Sequence, residues 1–171
     1  MKKLLVLIYG ITNYNLGSAA LVFLIAFLFN LLSAYGLGGI DYSPFTAGTD
    51  NTYLAAVINI GLIILFGLQH SVMARPKFKR WLQRHIPAAA ERSSYMLATA
   101  VVVFAMCLLW QPLPEVLWQA ESEMTYNIML GIGLAGWALV LYSTFLINHF
   151  DLFGLRQVWL YFLGREYTQL P

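Results

Sequence analysis

The chain has 171 residues, of which 60% are hydrophobic, 15% aromatic and only 11% charged, with a formal net charge of +2; its mean hydropathy is +0.67. Charged residues make up about a quarter of an ordinary soluble domain, so this composition excludes a soluble globular protein and points to an integral membrane one. The length suits a single domain of about four spans joined by short loops, because each membrane helix needs ~20 apolar residues.

The start, MKKLLVLIYG, imitates a secretory signal, with Lys2 and Lys3 before an apolar run and Ser18-Ala19-Ala20 as an apparent cleavage site. LVFLIAFLFNLL follows at once, so cleavage would cut a continuous apolar stretch. An uncleaved first span is expected over about 4–32, starting at Leu4 or Leu16 because Asn13 and Asn15 interrupt the apolar pattern, with one long tilted helix as the fuller reading. Residues 33–51 are rich in Gly, Ser, Pro, Thr and Asp and read as a loop. A second span is expected over about 53–73, a third over 95–110 and a fourth over 126–148. Pro112 and Pro114 end the third, since proline cannot continue the helical ladder. Leu152, Leu155, Trp159 and Phe162 recur every three or four residues with Arg156 off the stripe, which predicts an interfacial amphipathic helix over 151–163, bracketed by Gly164 and Pro171. The fold class is therefore all-α: four transmembrane helices and a C-terminal interfacial helix.

The charges orient this arrangement. All ten Lys and Arg fall before the first span, between the second and third, or after the fourth, whereas the other two loops carry only Asp41, Asp50, Glu115, Glu121 and Glu123. The positive-inside rule then places both termini and the second loop on the cytoplasmic side of the membrane. The basic, aromatic segment from Arg75 to His85 suits the anionic inner interface and a lipid partner rather than nucleic acid. Cys107 lies in an apolar run and reads as a small buried hydrophobe.

Polar groups beside apolar runs are costly without partners or a task. His70 ends the second span, with Asn59 three helical turns earlier on its face; His149 ends the fourth, with Tyr142 seven residues before it. Arg92 enters the third span at the same depth, and Asp151 and Arg156 follow the fourth. His70, Arg92, His149, Asp151 and Arg156 are thus the candidate catalytic cluster at the inner face, with Asp151 paired to Arg156 and Glu91 lying in the neighbourhood of Arg92. Each has a bland alternative, snorkelling to headgroups or capping a helix. No metal-binding pattern stands out. GIGLAG, Gly131 to Gly136, matches the dinucleotide fingerprint by letter but lies within a span; Gly131 and Ala135 read instead as a helix-packing face.

Two blocks, HSVMARPKFKRWLQRHIPAAAERSSYML (70–97) and STFLINHFDLFGLRQVWLYFLGREYTQLP (143–171), resemble the bacterial membrane-bound methanethiol S-methyltransferases. That family is related to the NnrU proteins and to isoprenylcysteine carboxyl methyltransferases. The resemblance implies transfer of a methyl group from S-adenosylmethionine to methanethiol, giving dimethyl sulfide. It also implies a cofactor half, with an Arg-His-Pro motif and a later glutamate pair, after LFGLRQVW; the chain ends at Pro171 with neither. No cofactor-binding residue is therefore assigned. The chain is expected to be a truncated product or a short relative, inactive alone, with a lateral face free for helix–helix association. Two other readings stand beside this one. One is an NnrU-like haem protein or isomerase using His70 and His149 as axial ligands, and the other a non-catalytic membrane module.

Overall fold

The computed structural model describes residues 1–43, 46, 49, 51–113, 115 and 118–168. Asp50, Pro114 and Pro171, which the sequence assigns to an outer loop, a helix stop and a C-terminal bracket, lie outside the described residues. The helices are α1 (Lys2–Leu28), α2 (Thr52–Ala74), α3 (Pro76–Leu82), α4 (Glu91–Leu109), α5 (Glu123–Ile147), α6 (His149–Leu152) and α7 (Leu155–Leu163), with 3-10 turns at Ser33–Tyr35 and Ala88–Ala90. Among the described residues the only β pairing is an isolated bridge between Gly39 and Tyr42. Among the described residues four helices are long and apolar enough to cross a bilayer: Lys2–Leu28, Thr52–Ala74, Ala88–Leu109 and Glu123–Ile147. The chain is an all-α membrane protein.

The first span is one unbroken helix from Lys2, so the asparagines do not interrupt it. Asn13 is buried, and the Asn15 amide donates to the Ile11 carbonyl of its own helix at 2.8 Å. The helix stops at Leu28, earlier than expected. Asn30 then takes a left-handed φ of 54° and uses its side chain to hold Asp41. Asn51 caps α2 by accepting from the amides of Tyr53 and Leu54, and Ser122 caps α5 through Thr125. Arg75, in extended conformation before Pro76, separates α2 from α3.

Helix α4 is the centre of the bundle. Val6, Gly10, Asn13, Ala20 and Phe27 are the buried positions of α1, and Ser93, Met96, Ala100, Val103 and Cys107 those of α4. Both sets advance by threes and fours or their sums, the seam spacing of helices packed along their length. Tyr9 bonds Ser94 near one end, and Phe27 packs edge-on against Trp110 at the other, so α1 and α4 run parallel. Small residues set the approach: a side chain on Gly17 would collide with Met96. Helix α2 covers another face of α4 in the opposite direction, with Gln69 near Thr99 and Asn59 against Gln111.

Helix α5 has no buried residue, and a Cβ on Gly131 would meet nothing within 4 Å. The small-residue face expected to pack closely is open in this structure.

The region after α5 differs most from expectation. In place of one helix over 151–163 there are two, broken at Gly154, whose φ of +88° is left-handed. The stripe expected to lie in the interface stays largely exposed, and a residue off that stripe packs the helix on the bundle. Trp159 and Phe162 are exposed, whereas Val158 is fully buried on Gly10 of α1, where any side chain would collide with it. Gly164 at the far end of α7 lies beside Lys3, so α7 packs lengthwise along the first turns of α1, antiparallel to it. Burial of Val158 with Val6 and Ala90, flanked by Tyr161, Leu7 and Ile86, holds it there.

Candidate functional site

Asn148 ends α5 with φ 122° and ψ 85°, a backbone strained for any residue but glycine. Its side chain accepts from the Asp151 amide at 3.2 Å and so starts α6. This turn places the buried His149 and Asp151 against α1, α4 and α7. Because the chain turns out of helix here, Tyr142 does not share a face with His149 and is exposed; Thr144 and Phe145 supply the α5 contacts instead.

Asp151 is the hub. One carboxylate oxygen accepts from Arg156 at 3.2 Å and from Gln157 at 3.3 Å, and the other accepts from the Tyr167 hydroxyl at 2.9 Å. Arg92 donates to the Asp151 carbonyl at 2.8 Å, with its guanidinium 4.0 Å from the carboxylate. The carbonyl bond is the firm link to α4, and the ion pair is at the limit of contact. Gln157 also donates to that carbonyl at 3.0 Å, while Arg156 holds the Thr168 carbonyl at 2.9 Å and lies over the Tyr167 ring. Burial, then the hydrogen bond to Asp151, pushes the Tyr167 hydroxyl above its ordinary pKa of 10.0. Two guanidiniums sharing one carboxylate leave a surplus positive charge, and both are partly exposed.

Gly154 lets this cluster close on α4, since a Cβ there would stand 2.9 Å from the Arg92 Cβ and 3.0 Å from the Ser93 amide nitrogen. Asn13 Nδ2, Ser93 Oγ and Gln157 Oε1 are buried with no hydrogen-bond partner among the described residues. The seam register, in which Ala20 and Phe27 cluster with Ala100 and Cys107, sets Asn13 opposite Ser93.

His149 sits beside the hub with both ring nitrogens engaged. The Thr144 hydroxyl donates its one proton to the Leu141 carbonyl at 2.7 Å, so toward His149 Nδ1, 2.8 Å away, it accepts. This arrangement favours the tautomer with hydrogen on Nδ1, in which the neutral ring presents its Nε2 lone pair to the Tyr14 hydroxyl 2.8 Å away. The ring stacks on Phe145, with centroids 4.2 Å apart, and is edged by Tyr14, Phe150 and Phe153. Burial in this aromatic box lowers the His149 pKa from the ordinary 6.5 and favours the neutral form.

The structure thus brings Arg92, His149, Asp151 and Arg156 together and leaves His70 out. His70 packs between Phe66 and Tyr95 on the α2–α4 face, and no hydrogen bond of the cluster reaches it. Asn59 shares that face but pairs with the Gln111 backbone, donating at 2.7 Å and accepting at 2.9 Å. The two histidines accordingly do not offer two free imidazoles to one haem. Glu91 turns away from Arg92 and joins α3, meeting Gln83 at 2.6 Å and Lys79 at 3.5 Å. Tyr14, Thr144, Gln157 and Tyr167 were missed by sequence reasoning. The asparagines flanking Tyr14 were the one signal that its turn of α1 has a polar task.

A bundle of apolar helices closing on a buried charged cluster defines a polytopic membrane protein with a site at one end. No family model matches the chain, and no solved structure matches it. Among characterised proteins it is similar to the methanethiol S-methyltransferase of Crocosphaera subtropica, 38% identical over 99% of this chain and 64% of that protein. The Mycobacterium tuberculosis protein of that name is 38% identical over 99% of this chain and 67% of its own length. That of Pseudomonas deceptionensis is 46% identical over 61% of this chain and 40% of its own length. The chain belongs to the methanethiol S-methyltransferase family, and it spans about two thirds of the length of the first two of these relatives.

Proposed function

We propose that the protein methylates methanethiol to dimethyl sulfide, with the reaction at the membrane end where α1, α4, α6 and α7 meet. The observation that carries this is 38% identity, over nearly the whole chain, to proteins named for that activity. S-adenosylmethionine, when bound, supplies a methyl group already activated on a sulfonium. The donor set fits its anionic carboxylate end: among the described residues Arg92 bonds the Asp151 carbonyl, and Arg156 the Asp151 carboxylate and the Thr168 carbonyl, which leaves further guanidinium donors for it.

A thiol reacts as its thiolate, so the chain's own task is to remove and hold a proton. His149, kept neutral by its aromatic box, has the lone pair for it. Asp151 positions Arg92 and Arg156 and fixes the loop that carries His149. The rest is alignment and exclusion of water, served by the apolar seam.

The orientation supporting this reading puts the site at the cytoplasmic face of a bacterial inner membrane. Lys3 lies beside Gly164, and Lys79 pairs with Glu91, at the end of the bundle that carries the cluster. The test is to express the gene encoding this chain in a host without thiol methylation and sample the headspace. Dimethyl sulfide that depends on methanethiol and S-adenosylmethionine is expected from the whole gene product and none from residues 1–171 alone, and its absence from the whole gene product would overturn the proposal.

A further inference from the structure

We infer that Tyr14 is the group that receives the substrate's proton, relaying it to His149, so that the tyrosine hydroxyl rather than the imidazole faces the thiol. This rests on the methylation reading above. His149 has no free nitrogen: Nδ1 is committed to Thr144 and Nε2 to the Tyr14 hydroxyl. Phe145 covers the ring's face, and Phe150 and Phe153 flank it, so the imidazole is walled in. A thiol reaches the Nε2 lone pair through half-buried Tyr14; Thr144 is half-buried as well but holds the other nitrogen and spends its proton on the Leu141 carbonyl. Tyr14 gives its proton to His149 and has no second hydrogen-bond partner among the described residues, leaving lone pairs to accept another. It sits at the rim of the α1 seam, between buried Asn13 and exposed Asn15.

The step balances. The thiol S–H breaks and its proton passes to Tyr14 Oη as the tyrosine's own proton moves to His149 Nε2. The sulfur keeps the electron pair and uses it to bond the methyl carbon. The bond from that carbon to the sulfonium breaks with its pair on the donor sulfur, leaving a neutral thioether. After the product departs, the imidazolium returns its proton to water by the reverse path. The charged and titratable groups around His149 are Tyr14 from α1, Asp151 from α6, and, through Asp151, Arg92 of α4 and Arg156 of α7.

The test has two readouts. The first is the nitrogen NMR spectrum of histidine-labelled protein in lipid nanodiscs, with the His149 signals assigned by their loss in His149→Gln. The expected ring is neutral with hydrogen on Nδ1, and its Nε2 resonance shifts on Tyr14→Phe, which keeps the aromatic packing. The second is dimethyl sulfide formation against pH. Tyr14→Phe should lower kcat by about a hundredfold at neutral pH with KM for S-adenosylmethionine unchanged, and the loss should shrink as rising pH ionises methanethiol in solution. An Nε2–H tautomer in the wild type, or a Tyr14→Phe rate and pH profile equal to wild type, overturns the relay alone. A wild-type protein that forms no dimethyl sulfide overturns the methylation reading and the thiol end of the relay together, whatever the spectrum.

Discussion

Arg92 and Asp151 lie fifty-nine residues apart and meet through the backbone: the guanidinium donates to the Asp151 carbonyl at 2.8 Å, while the Asp151 side chain serves Arg156, Gln157 and Tyr167. One residue thus ties the loop after the fourth span to the start of the third and to the tail beyond α7.

Removing the carboxylate should be costly. Asp151→Ala leaves Arg156, Gln157 and Tyr167 without their shared acceptor while Arg92 keeps the carbonyl, and breaking such a largely buried pair costs on the order of 3 kcal/mol. Thermal unfolding in detergent reads this as a lowered Tm. Asp151→Leu combined with Arg156→Met should recover part of the loss, because the orphaned cation is removed with its partner.

Gly154 should tolerate no side chain. Its φ of +88° and the 2.9 Å approach to Arg92 Cβ mean that Gly154→Ala combines backbone strain with a collision, for about 2 kcal/mol or more. A Tm equal to wild type would show that the α6–α7 junction does not pack on α4 in this way.

Stability should fall on mild acidification. The folded His149 pKa is lowered from 6.5, so below that value the unfolded chain binds a proton that the folded one refuses. This contribution is complete above pH 6.5, is lost as pH falls from there toward the folded value, and then levels off. Unfolding followed from pH 8 to 5 should show the decline, and His149→Gln should reduce it.

The α3 clasp should matter little. Lys79 is more than a third exposed in its pair with Glu91, so Glu91→Gln should change stability by less than about 1 kcal/mol, measured in the same unfolding experiment.

Asn13→Leu should stabilise the protein. Asn13 Nδ2 is buried without a partner at the α1–α4 seam, and replacing an unsatisfied amide by an apolar group of similar size regains about 1 kcal/mol. A lower Tm would mean that the amide has a partner in the membrane.

Four spans, their approximate limits and the one-sided distribution of basic residues were legible in the sequence, because hydropathy and charge are local properties that a bilayer reads directly. So was the crowding of polar groups against an apolar run from His149 to Arg156. Its conformation was not legible. The split at Gly154 depends on how closely α4 approaches, and burial of Val158 rather than Trp159 depends on the space left by Gly10 on a helix far away in sequence. Periodicity shows that a helix has an apolar face but not which neighbour competes for it. Likewise, His70 and His149 look equivalent as two histidines at span ends, yet one packs between Phe66 and Tyr95 and the other is enclosed with Tyr14 and Thr144. Composition determined by itself that this chain lives in a membrane. Only the tertiary structure decided which polar residues meet, because hydrogen bonds and ion pairs require contact to within about 3 to 4 Å, and that depends on the approach of helices distant in sequence.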